Sequence, residues 1–424
     1  MQELFLDLEE GDQVTGLGQT WTVSRLLGMG RCAKVYHVTS NEGSISTAVK
    51  VFRREEKYKL VFIKEIRNLD AVYGNRHIAS IYGSFSYRGH PFFVFELLDC
   101  NVKQLVVKNN QECLSLYLIH ELFRDILECL HHVHNRGWVH ADLKPANVMW
   151  SAQEGCWKVI DFGHSFQEGH QDYSQIQSFC YQAPEAKTWN AFICRHGNFS
   201  RGKLISTPPK ACTSAVDIWS LACIIAGVFT GNKLYTQDDV EAGGCSQCKK
   251  VCDAVKCECE PVIDGIIKPR LVDNKIPKYR EVLADLRDLL KQMLQCDVSK
   301  RPTADECLSH HFFTHNFTPS FKDMVILPTR ILRLLDVTAD INLKDEEEYK
   351  DVYTDIQGEC EKYGPTRSML LPRDGQGQGK AYVEYEDAAD CESAQRALVG
   401  REFDGKPVLA TFFPLCDFRS RDLH

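Results

Sequence analysis

His140-Ala141-Asp142-Leu143-Lys144-Pro145-Ala146-Asn147, followed 14 residues after Asn147 by Asp161-Phe162-Gly163, is the stretch on which the reading of this chain turns. Upstream, Gly28-x-Gly30-x-x-Ala33-x-Val35 places glycines where a backbone can come close to phosphate oxygens and offer N–H donors. Alone it reads equally as an ordinary turn. Ala48-Val49-Lys50 closes a buried strand, and a lysine there needs negative charge, because an unpaired buried ammonium is costly. Glu65, 15 residues on along a helix, is the candidate carboxylate. Taken alone, Lys50 and Glu65 read as a structural pair. Downstream stand Ala183-Pro184-Glu185, Asp217-Ile218-Trp219-Ser220 and Arg301.

Taken together, in this order and at these spacings, the motifs resemble the protein kinase family over about residues 21–316. The resemblance implies phosphoryl transfer, which needs positioning and charge neutralisation more than covalent chemistry. It implies ATP and Mg²⁺ as cofactors, with Asn147 and Asp161 holding the metal. Asp142 would accept the hydroxyl proton, and Lys144 would contact phosphate as in serine/threonine kinases. Lys50 would hold the α/β-phosphates and Glu65 would hold Lys50. Leu27, Gly28, Gly30, Ala33, Val35 and Ala48 would border the nucleotide, with Phe95 as gatekeeper. Glu96 to Leu98 would bond the adenine through the backbone, and Glu185 would pair with Arg301. Three positions depart from the family pattern: Ala33 for the third loop glycine, Ala222 for a glycine, and Ala141 for the arginine of His-Arg-Asp. That arginine normally reads a phosphate on the activation loop, so activity without such phosphorylation is expected. A pseudokinase is the rival reading; the magnesium Asp, the base and the strand lysine all stand here.

The chain has 424 residues, a net charge of −8 and 44% hydrophobic content, as expected for a soluble chain of two or three domains. No apolar run of about 18 residues predicts a membrane span. The start, MQELFLDLEEGDQ, is acidic and lacks a signal pattern, so a cytosolic or nuclear place follows. Nineteen cysteines in such a chain are expected to be mostly reduced. Cys245, Cys248, Cys252, Cys257 and Cys259 form a cluster whose Cys-x2-Cys start fits zinc and whose other spacings fit a thiol-rich insertion.

The patterning gives an α+β chain: a bilobal kinase fold followed by a βαββαβ ferredoxin-like (RRM/UHM) domain. Residues 1–20 read as an N-terminal extension, 21–96 as a β-rich lobe with one helix and 101–316 as a helical lobe. Residues 317–327 read as a connector, 328–416 as the second domain and 417–424 as a tail. In the β-rich lobe, TWTVSRLLGMG, KVYHVTS, STAVKVF and PFFVFELL read as strands and KLVFIKEIRNLDAVYG as the helix. LYLIHELFRDILECLHHVHNRG, SAVDIWSLACIIAGVFTG and YREVLADLRDLLKQMLQ read as helices, and 196–213 as a surface loop.

In the second domain, RILRLLDV places Leu332 at the position where an RNA-binding motif stacks an aromatic. Lys380 replaces a second stacking aromatic and Tyr382 remains, so weak RNA binding is expected. Glu348, Asp351, Asp355 and Glu359 make one acidic helical stripe, and Val352, Ile356, Cys360 and Tyr363 an apolar one. From Lys344 to Glu361 there are eight acids and two lysines, a surface that attracts basic peptides. With Arg401-Glu402-Phe403 in the loop before the last strand, the domain resembles the UHM family, RRM variants of splicing factors that bind a basic peptide with one tryptophan. By that resemblance Phe403 would stack on the indole and Arg401 would close the pocket against the helix acids.

A kinase followed by a UHM resembles the family of the kinase interacting with stathmin, the UHM kinases. This implies a mainly nuclear, monomeric serine/threonine kinase whose substrates are splicing factors with Trp-containing basic ligand motifs, with serines before proline as suggested targets. A non-catalytic scaffold of splicing proteins and an RNA-binding protein are the alternatives.

Overall fold

The computed structural model describes residues 5–41, 45–110, 112–196, 207–231, 234, 263, 277–335, 337–338, 341–403 and 406–423. The chain divides into two units: Met1–Met149 with Lys158–Asn316, and Trp150–Trp157 with Phe317–His424.

In the first unit, strands β1 (Gln13–Gly16), β2 (Gln19–Met29), β3 (Ala33–Ser40) and β4 (Ser46–Phe52) precede helix α1 (Glu56–Val72), and β5 (Ile81–Tyr87) and β6 (His90–Glu96) follow it. They make one antiparallel sheet in the order β1-β2-β3-β4-β6-β5. Alternation along β4 sends Val49 and Val51 into a core with Val14, Trp21, Tyr36, Val38 and Val94, and leaves Lys50 to the other face. Register sets Lys50 opposite Val35 and Phe93. Two strands go beyond the sequence expectation. The segment read as an N-terminal extension supplies β1, and Leu6 and Leu8 pack against the sheet core. Ile81–Tyr87 is a strand despite Gly83, where the register shifts.

The helical part contains α2 (Val102–Lys108), α3 (Leu116–Asn135), the short pair β7 (Trp138–Val139) with β10 (Phe166–Gln167), the hairpin β8 (Val148–Ser151) and β9 (Cys156–Val159), whose residues Trp150–Trp157 group with the second unit, α4 (Pro184–His196), α5 (Ala215–Thr230), α6 (Pro277–Met293) and α7 (Ala304–Leu308). Asn101 and Gln104 form a reciprocal capping box on α2, as do Thr303 and Glu306 on α7. Ser115 caps α3, whose buried face runs through Leu118, Leu122, Ile126, Leu130 and Val133. Gly137 stands just past its end at φ +71°, a left-handed turn that favours glycine. Helix α5 is buried almost all round, as its apolar sequence requires. The Cys245–Cys259 cluster and most of the segment read as a surface loop lie outside the described residues. Among the described cysteines thirteen are free thiols, and Cys296 is disulfide-bonded. No described helix is long and apolar enough to cross a membrane.

The second unit contains α8 (Asp323–Ile326), β11 (Ile331–Leu335), α9 (Glu346–Cys360), β12 (Thr366–Leu370), β13 (Ala381–Tyr385), α10 (Ala388–Leu398), the hairpin β14 (Glu402–Phe403) with β15 (Lys406–Pro407), β16 (Leu409–Phe412) and α11 (Leu415–Ser420). The sheet runs β12-β13-β11-β16, all antiparallel. Asp345 caps α9 by accepting from the Glu347 and Glu348 N–H groups, and three acids in the first turn suit the helix dipole. One sheet face packs Leu332, Leu334, Val383 and Phe412 against Ile356 and Cys360 of α9 and Cys391, Ala394 and Leu398 of α10.

The expectation for Leu332 is corrected here. It belongs to this core, so by the two-residue alternation Arg333 occupies the opposite face, across from Tyr382. That face is covered. Ile331, Tyr382 and Phe413 pack with Met324 and with Leu415 and Phe418 of α11, and the Tyr382 hydroxyl donates to the Leu423 carbonyl at 3.1 Å. The residues read as a tail are thus part of the fold.

Candidate functional site

A polar cluster of the first unit begins at Lys50. Its Nζ donates to Glu65 Oε1 and Oε2 at 2.6 and 2.8 Å and to Asp161 Oδ1 at 3.2 Å. Strand β4 delivers the lysine and α1 the glutamate, which is buried. Burial opposes the ammonium, but Asp161 and then Glu65 outweigh it and hold Lys50 well above the usual lysine range. The Lys50 charge, opposed by burial, holds Asp161 far below the usual carboxylate range. Burial pushes the Glu65 carboxyl up to about 6 against the pull of Lys50, with Asp161 adding to the rise. Asp161 sits at φ +66° and Ala141 at φ +63°, left-handed conformations that a side chain adopts only when its surroundings fix them.

Those surroundings can be named. The buried Asp217 carboxylate at the start of α5 accepts from the His140 and Ala141 N–H groups at 2.8 and 2.9 Å and lies 3.0 Å from His134 Nε2. Burial works to raise this carboxyl, and the bond and charge of His134 bring it below its ordinary value. The His140 ring meets Phe162 edge-on at 4.8 Å. Asn68, fully buried on α1, donates to the Phe162 and Ser165 carbonyls at 2.8 and 2.9 Å, which ties the Glu65 helix to the Asp-Phe-Gly turn. A Cβ at Gly163 would lie 3.4 Å from Asp161 Oδ1 and 3.6 Å from Glu65 Oε2, at ordinary contact distance beside the carboxylates.

Asp142 is the second centre. Lys144 Nζ donates to its Oδ2 at 2.5 Å and to Ser178 Oγ at 3.2 Å, and Ser178 Oγ donates to Asp142 Oδ1 at 2.8 Å. Asn147 Nδ2 donates to the Asp142 carbonyl at 2.9 Å. The Asp161 carboxylate and the Asn147 amide are hard oxygen donors of the kind that hold a small divalent cation together with phosphate oxygens. The donor set therefore fits such a metal. Among the described residues no group of three or more His, Cys, Asp or Glu could hold a metal ion.

The loop above is open. A Cβ at Gly28 would meet nothing within 4 Å, and at Gly30 only the Ala33 carbonyl at 3.6 Å. Ala33 packs beside Phe52 and Phe93, which accounts for a small residue at the third loop position. Leu27 is exposed, and Val35 and Ala48 are half-buried, Ala48 opposite Phe95 in register. Leu98 is buried, and the Glu96 N–H donates to the Ser80 carbonyl at 3.0 Å, so any adenine contact by Glu96 falls to its carbonyl. The Glu96 side chain has a role that the sequence did not suggest: Lys158 Nζ, buried on β9, donates to its two oxygens at 2.8 and 3.0 Å. Glu185 and Arg301 meet as expected, at 2.6 and 3.2 Å. Asn68, Lys158, Ser178 and Gln177 are the site residues that sequence reasoning missed.

In the second unit, Arg401 Nη1 donates to Glu359 Oε1 at 2.6 Å, and its guanidinium lies 5.9 Å from the Tyr363 ring. Phe403, on β14, is half-buried against the helix–sheet core. Glu348, Asp351 and Asp355 are exposed on α9; Glu348 accepts from the Asn342 N–H, and Glu359 also pairs with Lys362. Val352 and Tyr363 pack on the core with Ile356 and Cys360, as the apolar stripe requires. The structure thus brings Arg401 to one acid of the stripe, leaving Asp351 and Asp355 to solvent.

A lysine clamped by Glu65 and Asp161, a buried Asp142 carboxylate held by Lys144 and Ser178, and an open glycine loop are suited to transferring a phosphoryl group from a nucleotide. Residues 21–313 match the protein kinase domain family, and the chain is a protein kinase. Residues 353–409 match the RNA recognition motif family. Over 418 residues the chain is 40% identical to the serine/threonine-protein kinase Kist of Homo sapiens and likewise to that of Rattus norvegicus, covering 95% of this chain and 93% of each relative. It is also 31% identical over 229 residues to the dual specificity tyrosine-phosphorylation-regulated kinase 3 of Rattus norvegicus, across 53% of this chain and 36% of that one. The chain belongs to the Kist family of serine/threonine protein kinases.

Proposed function

We propose that this kinase transfers the γ-phosphate of Mg-ATP to serine or threonine in splicing factors held by its C-terminal domain, in the nucleus. In this reading Lys50, fixed by Glu65, holds the α/β-phosphates. Asp161 and Asn147 hold magnesium, which when bound neutralises phosphate charge. Asp142 accepts the hydroxyl proton and aims the oxygen, while Lys144 steadies the transferring group. Substrate choice rests on the second unit. A basic peptide is attracted to the stripe of Glu348, Asp351, Asp355 and Glu359, and its tryptophan stacks on Phe403 under Arg401.

The observation that carries this reading is the Arg401–Glu359 clasp beside half-buried Phe403, on a helix rich in acids. Burial of Tyr382 beneath α11 supports a protein ligand over RNA, since stacking bases need an open sheet face. The test is capture of a basic peptide with a single tryptophan by the full chain, followed by phosphosite mapping of the proteins retained. Phe403→Ala is expected to weaken capture roughly 30-fold or more, as for a buried aromatic anchor. Unchanged affinity in that variant would remove the docking site from the proposal.

A further inference from the structure

Position 141 carries a methyl group where a phosphate-reading kinase carries a guanidinium, so the activation segment is held by other means. The Ala141 carbonyl accepts from the Gln177 N–H at 2.6 Å. Gln177 is buried, 7% exposed, with φ +57°, the third left-handed non-glycine residue around the catalytic loop. Both polar atoms of its side-chain amide have partners. Nε2 donates to the Val216 carbonyl and to Ser220 Oγ, both at 2.7 Å, and Oε1 accepts from the Ala183 N–H at 2.9 Å. Its own carbonyl accepts from Gln182 Nε2 at 3.1 Å. One residue therefore ties together the loop before Asp142, helix α5 and the turn into α4. Earlier in the segment, Asp172 pairs at 2.6 Å with Lys64, the neighbour of Glu65 on α1. Ser220 Oγ passes the network on to the Tyr181 carbonyl at 2.9 Å.

The residue after Gln177 is Ser178, whose hydroxyl touches both Asp142 and Lys144. A strained, buried residue with every polar group satisfied is a rigid support, and the group beside it inherits that rigidity. We propose that Gln177 is a positioning residue: its amide network fixes Ser178 against Asp142 and so presets the catalytic carboxylate, a task that in phosphate-switched kinases falls to a phosphorylated loop residue. The inference rests on the kinase reading of the site. It assigns to Gln177 an effect on turnover that is separate from nucleotide binding, since Lys50, Glu65 and Asp161 are held by other contacts.

The experiment uses the full chain as wild type, Gln177→Ala and Gln177→Glu, with Asp161→Ala as the background. Glutamate keeps the size and the acceptor facing Ala183 but loses both donors, and it serves if the alanine variant does not fold. Nucleotide affinity and turnover on a generic protein substrate are measured before and after phosphatase treatment. Both Gln177 variants are expected to lose roughly 10- to 100-fold in kcat, the scale of a small misplacement of a reacting group, with nucleotide affinity within about twofold of wild type. Phosphatase is expected to leave wild-type turnover within about twofold. An active wild type with equally active Gln177 variants would overturn the proposal alone, as would parallel loss of nucleotide affinity and kcat, or collapse of wild type after phosphatase. A wild type no faster than Asp161→Ala would overturn the kinase reading beneath it.

Discussion

Removing the Glu185 carboxylate tests how this unit handles a buried charge. Arg301 has a side chain with no exposed area and Glu185 one that is 18% exposed. The guanidinium donates to both carboxylate oxygens, to the Ala215 carbonyl at 2.7 Å and twice to the Gln295 carbonyl, and lies 5.2 Å from the Trp219 ring. Glu185→Ala leaves that cation in place with its hydrogen bonds to carbonyls but no counter-charge, which costs about 3–5 kcal/mol. For a unit of roughly 300 residues the unfolding entropy is about 0.6 kcal/mol/K, so Tm should fall by about 5–8 °C. Differential scanning calorimetry on the full chain reads this shift. Glu185→Gln, which keeps an acceptor, should lose less. Since Glu185 sits in the first turn of α4 just past Ala183, which receives the Gln177 contact, turnover should fall as well. A Tm within about 1 °C of wild type for Glu185→Ala would refute the claim that the pair is desolvated and mutually required.

Glu65 sets a pH dependence. Its folded carboxyl lies near 6, above its ordinary 4.5, so the ionised form costs stability above pH 6 and that cost fades as pH falls towards 4.5. Nucleotide affinity should run the other way, weakening below pH 6 as the protonated Glu65 releases Lys50; titration with a nucleotide between pH 5 and 8 checks this, and Glu65→Gln should flatten the profile. Asn68→Leu strips the amide from the buried Phe162 and Ser165 carbonyls, and at about 1–3 kcal/mol for each unsatisfied group it should lower the denaturation midpoint. Arg401→Ala removes a surface pair with side chains 53% and 33% exposed, so stability should change by less than about 1 kcal/mol while capture of a tryptophan-bearing basic peptide weakens; equal capture would argue against the clasp.

The catalytic order was legible because its chemistry constrains residue type and spacing together: His140 to Asn147 and Asp161 to Gly163 leave few alternatives. The supports were not. Gln177 and Asn68 act through backbone groups distant in sequence, and nothing in their neighbours marks them. QVTG is too short and polar to announce a strand, yet Val14 buries among Trp21 and Tyr36 once paired. Leu332 was set one residue out of register because apolar Ile331, Leu332, Leu334 and Leu335 blur the alternation; the packing of Leu334 on the helix side fixes the phase. The clasp was foreseen from residue types, but which acid Arg401 would reach depends on the end of α9, where Glu359 stands beside Tyr363.

Helix α11 has a practical consequence. Leu415, Phe418 and the Leu423 carbonyl close over Ile331, Tyr382 and Phe413, so removing residues 415–423 would lay bare a contiguous greasy surface. Patches of that kind drive self-association. A preparation nicked there would be expected to clump during purification while its phosphotransfer chemistry stayed intact, and an affinity tag is better placed at the amino end.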